Sequence, residues 1–189
     1  EDHIIIGTTE DNGAVLGLGH VRHGGAGVTN VGMLTEDQED FLPKLKEAFD
    51  ACGFQVKIHD NIQQLIWDKL FTNVSLSALT GVLQVDMGYI AGNEYAWNLC
   101  CQLIHETAMT AKAGGLTFDE DKMREKVRLT SVNNPNGCTS IRADLRDGRK
   151  TEVDTISGAV VRAAEKYGVE VPGHSFIVRM VHAMEGRNK

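Results

Sequence analysis

The feature that most constrains this chain is a change of texture near Asn61. Beyond it, apolar residues recur every three to four positions over about 61–84, 93–114, 119–130, 138–146, 151–167 and 174–186. That is the helical period, and no strand pattern of comparable quality follows Asn61. Gly114-Gly115 and Gly168 are natural helix stops, and Pro172 cannot continue a helix that precedes it. The turn-forming run Val132-Asn133-Asn134-Pro135-Asn136-Gly137 reads as a loop. The expectation is an all-helical domain over 61–189.

Residues 1–60 read differently, as an α/β remnant. Ile4-Ile5-Ile6 running into Gly7-Thr8-Thr9 has the look of a buried strand ending at a loop. Buried strands sit between other strands, so the numbering is expected to begin inside a larger protein. Ala14–Val21 and Gly27–Val31 read as two further strands, joined by the glycine-rich turn His23–Gly27. Thr35-Glu36-Asp37-Gln38 has capping-box spacing. A helix should follow with Phe41, Leu42, Leu45, Ala48, Phe49 and Cys52 on one face and Gly53 at its end. Phe54-Gln55-Val56-Lys57-Ile58 alternates and reads as a strand.

Composition removes several function classes. The 189 residues are 42% apolar and 24% charged, ordinary for a soluble globular protein. With 26 acidic against 19 basic residues the formal charge is −7, which argues against nucleic acid and against anionic membranes. No apolar run approaches a membrane span, and no signal-peptide pattern opens the chain. Cys52, Cys100, Cys101 and Cys138 form no C-x-x-C pair, so neither a disulfide framework nor a structural zinc site is expected. Reduced thiols and a cytoplasmic location are the expectation.

On an α-helical wheel of 61–84, Gln64, Asp68, Thr72 and Ser75 gather on one side as the solvent face, and apolar residues take most of the rest. Lys69, Asn73 and Ser77 fall off that face and stack at i, i+4, i+8. A polar ladder beside buried residues points to a wet cleft, where desolvation would make Lys69 a proton donor. The bland alternative has Lys69 snorkelling to solvent, Asn73 capping a neighbour and Ser77 as filler. A second polar group clusters at Ser140–Asp144 and Gly148–Asp154, with Glu152 and Asp154 at the expected start of a helix. There a carboxylate serves the helix dipole or faces a cleft as a hydrogen-bond acceptor.

Other motifs carry no site. Gly17-Leu18-Gly19 and Gly25-Ala26-Gly27 lack the last glycine of a dinucleotide fingerprint and open no helix. His20 and His23 point to opposite faces of a strand and make a poor metal pair. Tyr95, Trp97 and His105 read as packing residues on helix faces.

Together these residues resemble the ketopantoate reductase (2-dehydropantoate 2-reductase) family. The run Trp67-Asp68-Lys69-Leu70-Phe71-Thr72-Asn73 is followed by Ser140-x-x-x-Asp144 and by Gly148-Arg149-x-Thr151-Glu152-x-Asp154-x-Ile156-x-Gly158. Gly168-Val169-x-x-Pro172, Gly7-Thr8-Thr9 and Gly27-Val28-Thr29-Asn30-Val31-Gly32 complete the likeness, which covers essentially the whole chain. The resemblance implies the last part of a Rossmann-type nucleotide domain over 1–60. An all-helical C-terminal domain of the 6-phosphogluconate-dehydrogenase-like kind would follow over 61–189. It implies NADPH-dependent reduction of ketopantoate to pantoate, on the route to pantothenate and coenzyme A. Lys69 would be the general acid; Asn73, Ser77 and Ser140 would bind substrate, with Ser140 at its carboxylate. Glu152 and the backbone of Gly13 would serve the cofactor. No metal is implied.

Two departures bear on the substrate. The family often shows Asn where Ser77 stands, and an Asn that commonly contacts substrate falls near Met87. Lost hydrogen bonds change specificity strongly, so a related 2-keto acid stays open. The N-terminal part of the nucleotide domain is missing, so the chain is expected to be a fragment, inactive alone. A 3-hydroxyacid dehydrogenase of the hydroxyisobutyrate type is a second reading, and a non-catalytic helical dimerisation module a third. The long helix 93–114 is a candidate subunit interface, which makes a homodimer the expected assembly.

Overall fold

A computed structural model describes residues 4–34 and 41–186. The chain divides into two compact units, Glu1–Ile66 and Trp67–Lys189. The first is α/β and the second is all-helical.

In the first unit, β1 (Ile5–Thr9) pairs antiparallel with β4 (Val28–Met33), which pairs parallel with β5 (Gln55–Ile58). The helix α1 (Phe41–Ala51) makes the crossover that a parallel pair requires. Val31, Leu42 and Val56 form a small core, with Ile5 and Met33 packed on it. Gly32 belongs there because a Cβ would lie 2.6 Å from that of Ile62. Gly53, at φ 90°, ends α1 as expected.

Several expectations for this unit are corrected. β1 is an edge strand of the order β1-β4-β5 and is only half-buried, because among the described residues no strand pairs with its other side. The segment 14–21 is not one strand. It turns at Leu18-Gly19 into a hairpin of β2 (Asn12–Gly17) and β3 (His20–Gly25), since Gly19 adopts φ 70°. His23 and Gly24 accordingly lie in β3 rather than in a turn. Of the apolar face foreseen for α1, Leu42 is buried, whereas Phe41, Ala48, Phe49 and Cys52 are exposed. Phe49 packs on Phe54, ring centroids 5.6 Å apart. The capping box at 35–38 lies outside the described residues.

The helical unit is entered along one nearly continuous rod. α2 (Ile62–Thr72) runs into a π-helical segment, Asn73–Ser77, and then into α3 (Ala78–Leu83). There follow α4 (Met87–Gly92), α5 (Glu94–Ala113), α6 (Glu120–Asn133), α7 (Ser140–Arg146), α8 (Ser157–Tyr167) and α9 (Pro172–Glu185). Side-chain caps start three of them. Asn93 accepts from the Ala96 amide, Asp119 from that of Lys122 and Thr139 from that of Arg142. α5 ends at Gly114, α8 at left-handed Gly168, and Pro172 opens α9 at a position where its missing N–H costs nothing. The core gathers Phe71, Val74, Leu76, Leu79, Ile90, Cys100, Ile104, Val127, Ile141, Val160 and Val181. Phe71 meets Phe118 edge-on at 4.9 Å.

Here too the structure departs from the sequence pattern. α8 begins at Ser157, so Glu152 and Asp154 sit in the preceding turns rather than at a helix start. The loop expected from Val132 begins only after Asn133, because α6 runs on to that residue. Tyr95 is 78% exposed and His105 is also exposed, its Nδ1 2.9 Å from Glu120, so neither is a packing residue.

Candidate functional site

The rod α2–π–α3 carries three of the expected site residues. Burial along it changes down the axis more than around it. From Val74 to Gly81 every residue is buried, whereas residues 63–70 of α2 are half-buried or exposed. Ser75, placed by the wheel on the solvent face, is therefore fully buried, its hydroxyl donating to the Phe71 carbonyl at 2.6 Å. Lys69, placed off that face, is exposed, so the expected burial of its ammonium is not found. Neighbouring Asp68 is paired with Lys126 of α6.

Asn73 and Ser77 open and close the π-helical segment. A π turn makes i→i+5 bonds and winds more loosely than an α turn, and such bulges concentrate at functional sites. Asn73 is half-buried and Ser77 is 7% exposed. Lys69, Asn73 and Ser77 thus lie on successive turns of a single rod, running from exposed to buried.

Ser140 comes to the same rod from α7. It is exposed at the first position of that helix, directly after the capping residue Thr139. Thr139 Oγ1 lies 2.7 Å from Thr80 Oγ1, a buried contact, and Thr80 itself donates to the Leu76 carbonyl at 2.7 Å. Gly81 lets α7 approach, since a Cβ there would stand 2.5 Å from Ile141 Cγ2. Ser77 and Ser140 are therefore fixed on either side of one buried threonine bridge. Sequence reasoning passed over both threonines. Thr139, a hydroxyl residue just before a helical pattern, carried a readable N-cap signal. Thr80 carried none.

Met87 lies against the loop that leads to Thr139. Its amide donates to the Gly137 carbonyl at 3.0 Å, and the Ser131 hydroxyl donates to its own carbonyl at 2.6 Å. Next to it, Asp86 is paired with Arg142 of α7.

Glu152 is not gathered with these residues. It projects from the turns 151–156 and is exposed, and its carboxylate makes no hydrogen bond or ion pair among the described residues. The ties of those turns run to α9: Glu185 Oε1 accepts from the Thr151 amide at 2.7 Å and from its hydroxyl at 2.8 Å. Gly13 belongs to the other unit, exposed in β2. No group of His, Cys, Asp and Glu able to hold a metal occurs among the described residues.

An unpartnered carboxylate at Glu152 can accept from a ribose hydroxyl or a carboxamide N–H.

Comparison with known proteins assigns the chain. The family model described as Ketopantoate reductase PanE/ApbA C terminal matches residues 61–185. The 2-dehydropantoate 2-reductase of Pyrococcus horikoshii is 28% identical over 95% of this chain and 60% of its own length. The ternary structure of D-mandelate dehydrogenase with NADH and anilino(oxo)acetate superimposes at TM-score 0.86, with 26% identity over 99% of this chain and 62% of that one. A dimeric ketopantoate reductase from Staphylococcus aureus shares the fold at TM-score 0.84, with 20% identity over 98% of this chain and 63% of that one. The chain thus spans about 60% of the length of the curated relative. With the matched segment covering the helical unit and the rod of Lys69, Asn73 and Ser77 inside it, the chain belongs to the ketopantoate reductase family.

Proposed function

We propose that this chain supplies the substrate side of an NADPH-dependent 2-dehydropantoate 2-reductase. The observation that carries the reading is the rod on which Lys69, Asn73 and Ser77 follow one another through a π-helical segment, with Ser140 fastened beside it. In this reading residues 1–60 serve the nucleotide and 61–189 the keto acid.

A nicotinamide, when bound, would supply a hydride for the ketone carbon. The carbonyl π pair then moves to oxygen, and Lys69 Nζ gives that oxygen its proton, so a ketone becomes an alcohol and the ammonium an amine. Before transfer the same ammonium stabilises the charge building on oxygen. Asn73 and Ser77 offer an amide and a hydroxyl to the substrate's polar groups, and Ser140 offers its hydroxyl to the carboxylate. Glu152 offers its carboxylate to the cofactor, and Gly13 of the first unit offers its backbone.

A second reading concerns the keto acid. Met87 is half-buried beside the loop that leads to Thr139, its side chain has no amide to offer a substrate, and the chain is 26% identical to D-mandelate dehydrogenase against 28% to the curated reductase. An apolar 2-keto acid with NADH is the alternative. Likewise a homodimer is proposed, in line with the dimeric Staphylococcus aureus relative.

The test is nicotinamide oxidation by the native gene product that carries this chain, with ketopantoate and an arylglyoxylate, each with NADPH and NADH. Lys69→Ala should lower kcat by about 10²–10⁴-fold on the preferred substrate, the range for a lost general acid. Undiminished turnover in that variant would leave the helical unit as a non-catalytic dimerisation module.

A further inference from the structure

The turns 151–156 hold their exposed Glu152 between two anchors, and both lead to one histidine. At the start of the turns Thr151 donates twice to Glu185 Oε1, from its amide and its hydroxyl. The other oxygen of that carboxylate, Oε2, lies 3.0 Å from His182 Nδ1. The second ring nitrogen, Nε2, lies 3.0 Å from Asp154 Oδ1, two residues beyond Glu152. Below the turns, Val153 is fully buried and Ile156 nearly so. Glu152 is therefore the one residue of the first four, Thr151 to Asp154, that is neither buried nor engaged by a side chain of α9.

We infer that His182 is a positioning residue for Glu152: by bridging Glu185 and Asp154 it closes a clamp around the turns from which Glu152 projects. The inference rests on the assignment of Glu152 to the cofactor made above.

The chemistry of the bridge sets its pH dependence. A carboxylate oxygen can only accept, so both ring nitrogens must donate, and that requires the imidazolium. On deprotonation one nitrogen turns a lone pair toward a carboxylate, and that half of the clamp opens. Hydrogen bonding to Glu185 foremost holds the His182 pKa above its usual range against the opposing effect of burial, and the hydrogen bond to Asp154 adds to the rise. The charges around it are accounted for. On the α8 side Arg162 and Asp154 both lie against Gly158. α3 brings no charged residue. On α7, Asp144 is paired with Arg149 and Arg146 with Asp147. On α5, Glu106 is engaged at the opposite end of α9 by the Gly173 and His174 amides.

Three variants of the native gene product test this: His182→Gln, which cannot bridge as a cation; His182→Arg, which offers donors to both carboxylates without titrating; and Glu152→Gln. The first readout is amide hydrogen exchange across 151–156, corrected for intrinsic rates, at about pH 6 and 8. Wild type should lose protection at the higher pH by up to about fivefold, the upper end of what an exposed ion pair supplies. His182→Gln should show the unprotected value at both, and His182→Arg the protected value at both. The second readout is steady-state kinetics: His182→Gln should raise the cofactor KM by a similar factor with kcat little changed, and His182→Arg should restore it.

Exchange in His182→Gln identical to wild type overturns the clamp. So does a cofactor KM that Glu152→Gln raises and His182→Gln does not. If Glu152→Gln leaves the cofactor KM unchanged, the assignment of Glu152 to the cofactor falls, and with it the positioning role; exchange then reports only whether His182 holds the turns.

Discussion

Thr80 and Thr139 share a buried hydroxyl–hydroxyl hydrogen bond of 2.7 Å that fastens the rod bearing Ser77 to the helix that opens at Ser140. Each hydroxyl has one proton. That of Thr80 goes to the Leu76 carbonyl, 2.7 Å away, so Thr139 is the donor in the bridge. Thr139 still has a lone pair for the Arg142 amide at 3.4 Å. One short chain of hydrogen bonds thus satisfies a helix cap and an interhelical contact together.

Removing either end leaves a buried polar group behind. Thr80→Val strands the Thr139 proton, and Thr139→Val removes both the bridge and the cap of α7. Each should lower unfolding free energy by about 1–3 kcal/mol, Thr139→Val the more. The double variant should cost less than the sum, because replacing both partners leaves nothing unpaired in the bridge itself. Denaturant midpoints at constant m-value decide it, and strict additivity would contradict the bridge. Loosening this contact frees Ser140, so the keto-acid KM should rise in both single variants.

Gly81 sets how closely α3 and α7 approach. A methyl group there would stand 2.5 Å from Ile141 Cγ2, in a core where Ile141 is fully buried. Gly81→Ala gains about 1 kcal/mol of helix propensity and loses about 1–3 kcal/mol to overpacking. The expected outcome is a net loss of stability, reduced when Ile141→Ala makes room for the methyl. A stabilised Gly81→Ala protein would show that the helices can separate at no cost.

How far the sequence announced this arrangement depends on which signal is consulted. Helix ends marked by backbone chemistry were legible: Gly114, Gly168 and Pro172 all stand where the structure ends or begins a helix. The wheel failed where its premise failed. It assumes that burial varies around an axis, yet along 63–81 burial grows down the axis and a π segment interrupts the α period, so Ser75 and Lys69 exchanged environments. At 151–156 the pattern misled for another reason. Val153, Ile156 and Val160 keep helical spacing and are all buried, but the Ile156 amide reaches the Glu152 carbonyl and the Gly158 amide that of Val153 in a run of turns. Apolar period alone does not tell such turns from a helix. α4, with two glycines in six residues, carried no helical signal at all. The likeness in motif placed Lys69, Asn73, Ser77 and Ser140 without any of this geometry. Only the structure shows that a threonine pair joins two of them.

Thiol reactivity should separate Cys100 from Cys52 and Cys138. Cys100 is fully buried, and burial pushes its thiol up to about 12, so at neutral pH it holds essentially no thiolate. Cys52 and Cys138 are exposed. Brief alkylation of the native protein, read by peptide mass, should label those two and spare Cys100 until denaturant is added. Native labelling of Cys100 would mean that the helical core opens locally.

The start of α9 carries a buried acid and a buried base, and they make a pH prediction whose sign can be worked out. Glu106 accepts from the Gly173 and His174 amides at 2.9 and 3.0 Å, capping the helix from α5. His174 is fully buried, with Nε2 3.0 Å from both the Leu103 carbonyl and Thr107 Oγ1. A carbonyl only accepts, so Nε2 carries the proton, and Nδ1 has no partner among the described residues. Burial lowers the His174 pKa below its usual range, outweighing the Leu103 hydrogen bond and the Glu106 charge. The folded protein therefore keeps this ring neutral while the unfolded chain takes up a proton near about pH 6.5. Below that pH the unfolded state binds more protons, so this contribution to stability is complete above it and is lost as the pH falls. His182, with its raised pKa, runs the other way and loses its contribution as the pH rises. The two are separated by difference. His174→Gln keeps a donor for Leu103 but does not titrate, so its stability deficit against wild type should shrink between about pH 7.5 and 5.5. A deficit that stays constant over that range would show that His174 is not held neutral in the fold.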